Sequence, residues 1–230
     1  VRTVVEFMGV KACSLRLLDP ETDELTIAAV ANLSADYLGK GKVLLRDSIL
    51  DTEAMTHGRI VYVEDERTDP RVLFPQQVRR EGIVSALIVP IRYKWLSLGA
   101  LRVYTGEVYR FSDYEIALVR AIADQAAAAI VNARLHEDRM AAEAMRRQIR
   151  LAGEVQRRMV PAEPPRYPGV DIGAAYVPSL ELSGDFYDFI ALPNGNLGVA
   201  LCDVMGKGVP AALMTASLRA SLRAHADDLY

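Results

Sequence analysis

Cysteine, tryptophan and histidine are scarce in this 230-residue chain, at two, one and three residues. Cys13 and Cys202 lie far apart and form no CxxC pair, which excludes a disulfide scaffold and predicts two reduced thiols. His57, His136 and His225 share no ligand-like spacing and read as unconnected surface or cap residues. Neither sign of charge dominates. Lys and Arg number 27 against 30 Asp and Glu, a net charge of −3, which argues against a nucleic-acid or anionic-membrane binder. No uncharged apolar run approaches the roughly 18 residues of a membrane helix, and 82–91 carries Pro90 and suits a buried strand. There is no basic segment followed by an apolar core of the signal-peptide kind. These absences together predict a cytoplasmic protein with no membrane and no nucleic-acid partner. The chain opens at Val1 without Met, inside a helical-looking stretch, which predicts a piece of a longer protein.

The composition itself, 51% hydrophobic and 25% charged, is that of a globular protein. At about 150 residues per domain the length corresponds to about one and a half domains. Three stretches are legible. In 1–111, 11–18 and 25–31 read as a hairpin around the turn formers Asp19-Pro20-Glu21-Thr22-Asp23. Cys13, Leu15 and Leu17 share one face of the first strand, which makes Cys13 a core residue, and Leu25, Ile27 and Ala29 share one face of the second. A short helix at 48–57 ends at Gly58. A strand at 59–63 and a turn-rich 64–71 follow, then two apolar strands at 83–91 and 96–104. Tyr93 and Trp95 are expected to pack at the bend between them. Five strands with interspersed helices predict an α+β domain built on an antiparallel sheet.

The second stretch, 112–160, is one long helical pattern. Ser112 and Glu115 have capping-box spacing. Ile116, Val119, Ala123, Ala126, Ile130, Ala133 and Met140 recur at 3-and-4 spacing like a coiled-coil seam, which weakens toward Arg147 and Glu154. Some 45 helical residues span about 65–70 Å, and a helix of that length needs a partner. The spacing predicts a parallel homodimer through 112–160; the competing reading is a helix that caps its own sheet and continues into a separate one. Charges of alternating sign over 134–158 fit a solvated face. The third stretch, 161–230, begins with four prolines in 161–168, which stop the helix. Strand-like text at 170–176, 186–192 and 196–202 precedes a helix at 209–226. Seventy residues make a thin core, so this reads as the opening of a larger domain.

Chemistry concentrates in Ser183-Gly184-Asp185-Phe186-Tyr187-Asp188 and Asp203-Val204-Met205-Gly206-Lys207-Gly208. The strands carrying them are joined through Pro193-Asn194-Gly195-Asn196, a hairpin signal. With a two-residue Asn194-Gly195 turn, Asp185 faces Val204 and Asp203 falls on the other face. With a three-residue Pro193-Asn194-Gly195 loop and a left-handed Gly195, Asp185 lies directly across from Asp203. Such a pair repels unless it shares a proton or a cation, and carboxylates without Cys or His beside them suit Mg²⁺ or Mn²⁺. The alternative is two solvated, unpaired turn aspartates. Gly206-Lys207-Gly208 before a helix reads either as an anion cradle or as a flexible lead into the helix. It is not a P-loop, since no GxxxxGK[ST] is present.

The text "QRRMVP…YVPSLELSGDFYDF…LGVALCDVMGKGVPAALM" resembles the start of a bacterial PPM-type phosphatase domain of the stage II sporulation protein E and sigma-regulator phosphatase family. That resemblance implies the opening of an α/β/β/α sandwich that hydrolyses phosphoserine or phosphothreonine on a protein, commonly an anti-sigma-factor antagonist, through two Mn²⁺ or Mg²⁺ ions and an activated water. It implies that Asp185 and Asp203 are the catalytic, metal-ligating residues, that the Val204 backbone carbonyl is a further metal ligand, and that Asp188 is structural. Ser183 stands where the family has a first Gly, which is tolerated if the backbone there has negative φ. The family's other ligand aspartates lie further along its domain than Asp227 and Asp228. This chain is therefore expected to bind metal poorly and not to turn over alone.

Residues 1–135 resemble a GAF sensory domain, through Asp69-Pro70-Arg71 after the third strand and "SALIVPIRY…LGALRVY" running into "FSDYEIALVRAIADQAAAAI". No residue identifies its ligand. The combined expectation is a sensor-regulated protein phosphatase in which a signal in the first domain alters the register of the helix pair. The rival readings are a non-enzymatic ligand-binding and dimerisation module, and a nucleotide binder using Gly206-Lys207-Gly208.

Overall fold

A computed structural model describes residues 1–178, 180–193 and 195–226. The element order is α1 (Arg2–Met8), β1 (Ala12–Asp19), β2 (Glu24–Ala31), α2 (Ala35–Leu38), a 3₁₀ turn (Leu45–Asp47), α3 (Ile49–His57), β3 (Val61–Val63), α4 (Pro75–Glu81), β4 (Ala86–Tyr93), β5 (Leu96–Tyr104), α5 (Asp113–Met159), β6 (Asp185–Ala191), β7 (Leu197–Asp203) and α6 (Val209–Ala224). The chain divides into two compact units, Val1–Leu135 and His136–Tyr230.

The first unit is an antiparallel five-stranded sheet in the order β2-β1-β5-β4-β3. β1 and β2 form the expected hairpin, with a register irregularity between Leu15 and Arg16. Both faces of the sheet are covered, which is why Ala86–Ile91 is buried at every position rather than at alternate ones. On one face Cys13, Leu87, Val89, Leu101 and Val103 meet Val4 and Val5 of α1 and Val119, Ala123 and Ala127 of α5. Burial there pushes the Cys13 thiol up to about 12. On the other face Ile88 and Ala100 pack with Leu50, Ala54 and Met55 of α3. Beside them Ala86 and Tyr104 pack with Tyr37 of α2 and Val78 of α4. Gly58 ends α3 with φ 65°. Lys94 takes the bend between β4 and β5 with φ 54°, and Trp95 there is 83% exposed rather than packed.

α5 begins with the expected capping box. The Ser112 backbone N–H and hydroxyl both donate to Glu115 Oε2 at 2.7 Å, and the Glu115 N–H donates back to Ser112 Oγ at 3.3 Å. The apolar stripe of its first turns is buried against the unit's own sheet, and the buried alanine is Ala127 rather than Ala126. Residues 132–148 are all exposed. α5 also contains a stretch long and apolar enough, by length and composition, to cross a membrane.

In the second unit β6 and β7 form a two-stranded antiparallel sheet followed by α6. The strand expected at 170–176 is irregular chain apart from an isolated Tyr167–Val170 bridge. Strand-like composition makes a strand only where a ladder supplies partners, and this segment instead lines a cavity against the hairpin with Tyr187, Phe189, Val199 and Leu201.

Candidate functional site

The β6–β7 hairpin decides between the two turn lengths. Ala191 pairs with Leu197, the Leu192 N–H donates to the Asn196 carbonyl at 3.0 Å, and Gly195 has φ 81°. Only glycine takes that conformation readily. Asn194 itself lies outside the described residues. The three-residue loop sets a register in which Asp185 is directly across from Asp203, so both carboxylates sit on one face of the hairpin. Both residues are exposed.

Residues around the pair hold this register. The Val204 N–H donates to the Gly184 carbonyl at 3.1 Å, and the buried Thr215 hydroxyl of α6 donates to the same oxygen at 2.8 Å. Gly184 is needed for close approach, because a Cβ there would lie 2.4 Å from the Val204 carbonyl oxygen. Gln156 of α5 clamps Ser183, with Nε2 donating to the Ser183 carbonyl at 2.7 Å and Oε1 accepting from its N–H at 3.0 Å. The Ser183 hydroxyl then accepts from the Asp185 N–H at 3.0 Å. Ser183 does not have positive φ, so the side chain in place of glycine carries no backbone strain. Sequence reasoning missed the Gln156 clamp, because the two residues are joined only by folding.

Asp188, 1% exposed, ties β6 to α6. Its oxygens accept from Arg223 Nε at 2.6 Å and Nη2 at 2.7 Å, and Arg219 Nε lies 3.0 Å away. Burial pushes Asp188 up, but the Arg223 hydrogen bonds and the two guanidinium charges outweigh it and hold the carboxyl below its ordinary range. Gly206 (φ 112°) and Gly208 (φ 72°) lead into α6, whose first turn has no side-chain cap. Among the described residues no group of three or more His, Cys, Asp or Glu is placed to hold a metal. Asp227 and Asp228 lie outside the described residues.

Two carboxylates on one face of the hairpin suit the hard oxygen donor set of Mg²⁺ or Mn²⁺, and the Val204 carbonyl lies close against Gly184, the residue before Asp185. They supply part of a six-coordinate shell, and water or other residues must complete it.

The first unit contains a second polar cluster. The β1–β5 register pairs Ser14 with Arg102 and Arg16 with Ala100, which puts both arginines on the sheet face covered by α2, α3 and α4. Arg102 Nη1 lies 3.3 Å from Asp51 Oδ2 and Nη2 lies 2.9 Å from Glu66 Oε1, while Arg16 Nη1 lies 3.7 Å from Asp51 Oδ2. The Ser48 hydroxyl donates to Asp51 at 2.7 Å. All four charged side chains are at most 8% exposed. Burial pushes Asp51 up, but Arg102 and Arg16 overcome it and leave the carboxyl low. For Glu66 burial wins and the carboxyl stays high. Sequence reasoning passed over this cluster. Its available signal was an arginine inside each of two apolar strands, Leu15-Arg16-Leu17 and Leu101-Arg102-Val103.

Comparison with known proteins adds the following. The family model described as GAF domain matches residues 1–131, and that of stage II sporulation protein E (SpoIIE) matches residues 193–230, which include Asp203 but not Asp185. Phosphoserine phosphatase RsbU of Bacillus subtilis (strain 168) is 36% identical over 72 residues, or 31% of this chain and 21% of its own length. Phosphoserine phosphatase RsbP of the same organism is 37% identical over 73 residues, or 32% of this chain and 18% of its own length. The chain thus spans about a fifth of the length of these curated relatives. The GAF domain of an Acinetobacter phosphoenolpyruvate-protein phosphotransferase superimposes with a TM-score of 0.52 at 24% identity, covering 59% of this chain and 80% of that one. Its counterpart from Coxiella burnetii gives 0.53 at 22% identity, covering 60% and 82%. At these identities the likeness concerns the fold. Residues 193–230 are similar to stage II sporulation protein E, and through residues 1–131 the chain belongs to the GAF domain family.

Proposed function

We propose that this chain is the sensor and the opening catalytic segment of a metal-dependent protein phosphatase that removes phosphate from serine or threonine, with an anti-sigma-factor antagonist as its substrate. The observation that carries the reading is the register placing Asp185 across from Asp203, in a chain whose relatives are named phosphoserine phosphatases. In this reading Asp185, Asp203 and the Val204 carbonyl hold Mn²⁺ or Mg²⁺. Such ions, when bound, would supply Lewis acidity and a water of lowered pKa for attack on phosphorus. Gln156 fixes the Ser183 backbone and so aims Asp185. Thr215 and Asp188 hold α6 against β6, which keeps Gly184 beside Val204.

With two carboxylates and one carbonyl as its ligand set, the 230-residue chain alone is proposed to bind metal weakly and to turn over little or not at all. The protein is placed in the cytoplasm, with no membrane or nucleic-acid partner. Pairing of two copies is assigned to the exposed part of α5, where Leu135, Met140 and Met145 are uncovered apolar residues.

The test is Mn²⁺-dependent phosphate release from a phosphoserine protein by the full-length enzyme. Asp203→Ala is expected to lower kcat/KM by about 10³-fold, the several kcal/mol attributed to metal-assisted charge stabilisation. Activity unchanged in that variant would remove the assignment. Robust Mn²⁺-dependent turnover by the 230-residue chain would remove the incomplete-site part of the reading.

A further inference from the structure

The cavity beside the buried ion cluster holds a lysine that the proposed function does not use. Lys40 sits between Gly39 and Gly41, after α2, and its Nζ lies 3.3 Å above the centroid of the Tyr37 ring. It shares the cavity wall with Arg16, Glu66 and Arg102. The cavity measures about 20 Å³. A water molecule needs about 10–15 Å³ on the same scale, so the space admits one molecule of a few atoms and excludes a nucleotide or a haem.

Four polar atoms of the residues lining this space are enclosed and have no hydrogen-bond partner. Arg16 Nε, Arg102 Nε and Lys40 Nζ are donors without acceptors, and Glu66 Oε2 is an acceptor without a donor. Unmade hydrogen bonds in a buried network are costly, and their mixture of donors and acceptors describes what would satisfy them. We propose that Lys40 is a site of reversible carbamate formation with carbon dioxide, the new carboxylate accepting from Arg16 and Arg102 and the released proton passing to Glu66.

The step balances. The Nζ lone pair forms a bond to the carbon of carbon dioxide, one C=O π pair moves onto oxygen to give the carboxylate, and one N–H proton leaves for Glu66 Oε2. Before the step the cluster holds two guanidinium cations, two carboxylate anions and a neutral amine. Afterwards it holds two guanidinium cations, the Asp51 carboxylate, the carbamate and a neutral Glu66. No net charge is buried, which is the term that opposes adding an anion to a dry site. Two features favour the step. Burial, with Arg16 and Arg102 adding to it, brings the Lys40 ammonium down to about 6, so the amine is free at neutral pH. Burial also keeps the Glu66 carboxyl high and ready to take a proton. The other groups facing Lys40 are Asp51 of α3 and the Tyr37 ring of α2, and neither competes as a proton acceptor, since Asp51 is held low by both arginines.

The experiment incubates the full 230-residue chain with ¹³C-labelled carbon dioxide and bicarbonate at neutral pH, alkylates with triethyloxonium ion to fix any carbamate, and maps the label by mass spectrometry. Label is expected on Lys40 and not on Lys42, whose side chain is 78% exposed and which serves as the internal comparator. Arg16→Gln, with its fold checked by circular dichroism, removes a charged donor to the new carboxylate and is expected to lower occupancy at fixed carbon dioxide about tenfold, the worth of a hydrogen bond to a charged group. No label at Lys40 in the unaltered chain, or equal label at Lys42, would overturn the proposal.

Discussion

Replacing Asp203 by Asn should make the β6–β7 hairpin more stable without metal and less stable with it. The two carboxylates are directly opposed, so their Cβ atoms are about 5 Å apart. At that distance two like charges in water cost about 0.8 kcal/mol. A screening length of about 8 Å at physiological salt reduces this to about 0.4 kcal/mol. Removing one charge at nearly constant shape should therefore slow amide exchange in 185–203 by about two- to fourfold in metal-free buffer, with low salt giving the larger effect. Mn²⁺ reverses the order. At 100 times its dissociation constant, the ion stabilises the unaltered hairpin by about 2.7 kcal/mol, on the order of 100-fold in protection, and the variant gains little. Hydrogen exchange read by mass spectrometry on peptides covering the two strands measures both arms. Faster exchange in metal-free Asp203→Asn, or equal protection of both proteins by Mn²⁺, would refute the reasoning that these two residues are opposed in order to share a cation.

Two further perturbations test other parts of the molecule. Asp51→Asn strands two buried guanidinium groups on a single remaining carboxylate and should cost about 3–5 kcal/mol. For a unit of 135 residues that is a fall in melting temperature of about 10–18 °C, and a loss under about 1 kcal/mol would show that the cluster is solvated. Because Asp51 is held below its ordinary range, its contribution is present at neutral pH and disappears as pH falls through the folded value; the raised Glu66 acts oppositely and favours the fold at the acid end. Gly184→Ala forces a Cβ to within 2.4 Å of the Val204 oxygen, which should cost about 1–3 kcal/mol and weaken Mn²⁺ binding at least tenfold by calorimetry; unchanged affinity would remove the carbonyl from the ligand set.

What could be read in advance followed from local rules. The capping box at Ser112 and Glu115, the left-handed cap at Gly58 and the apolar strands of the sheet each depend on a few neighbouring residues. The Asp185–Asp203 register was legible up to one residue of loop length, and that one residue decides whether the two side chains share a face. Three features needed the whole fold. α2 and α4 are too short to carry a helical period. The 170–176 segment has strand composition but no ladder. The buried cluster draws residues 16, 51, 66 and 102 together from three elements and the loop after β3, and the strand pattern pointed to the opposite face at Leu15 and Leu17.

The sheet order has a consequence for how the protein is made. β1 is hydrogen-bonded along β5, from Ala12 opposite Tyr104 to Leu17 opposite Gly99, so its partner follows it by 82–92 residues of synthesis. At about 5–20 residues per second, the nascent β1–β2 hairpin waits roughly 5–20 s with one edge open. During that interval Arg16 is the charged residue in the middle of an otherwise apolar run. The same guanidinium that ends buried beneath α3 is then a deterrent to pairing with a neighbouring chain on the polysome.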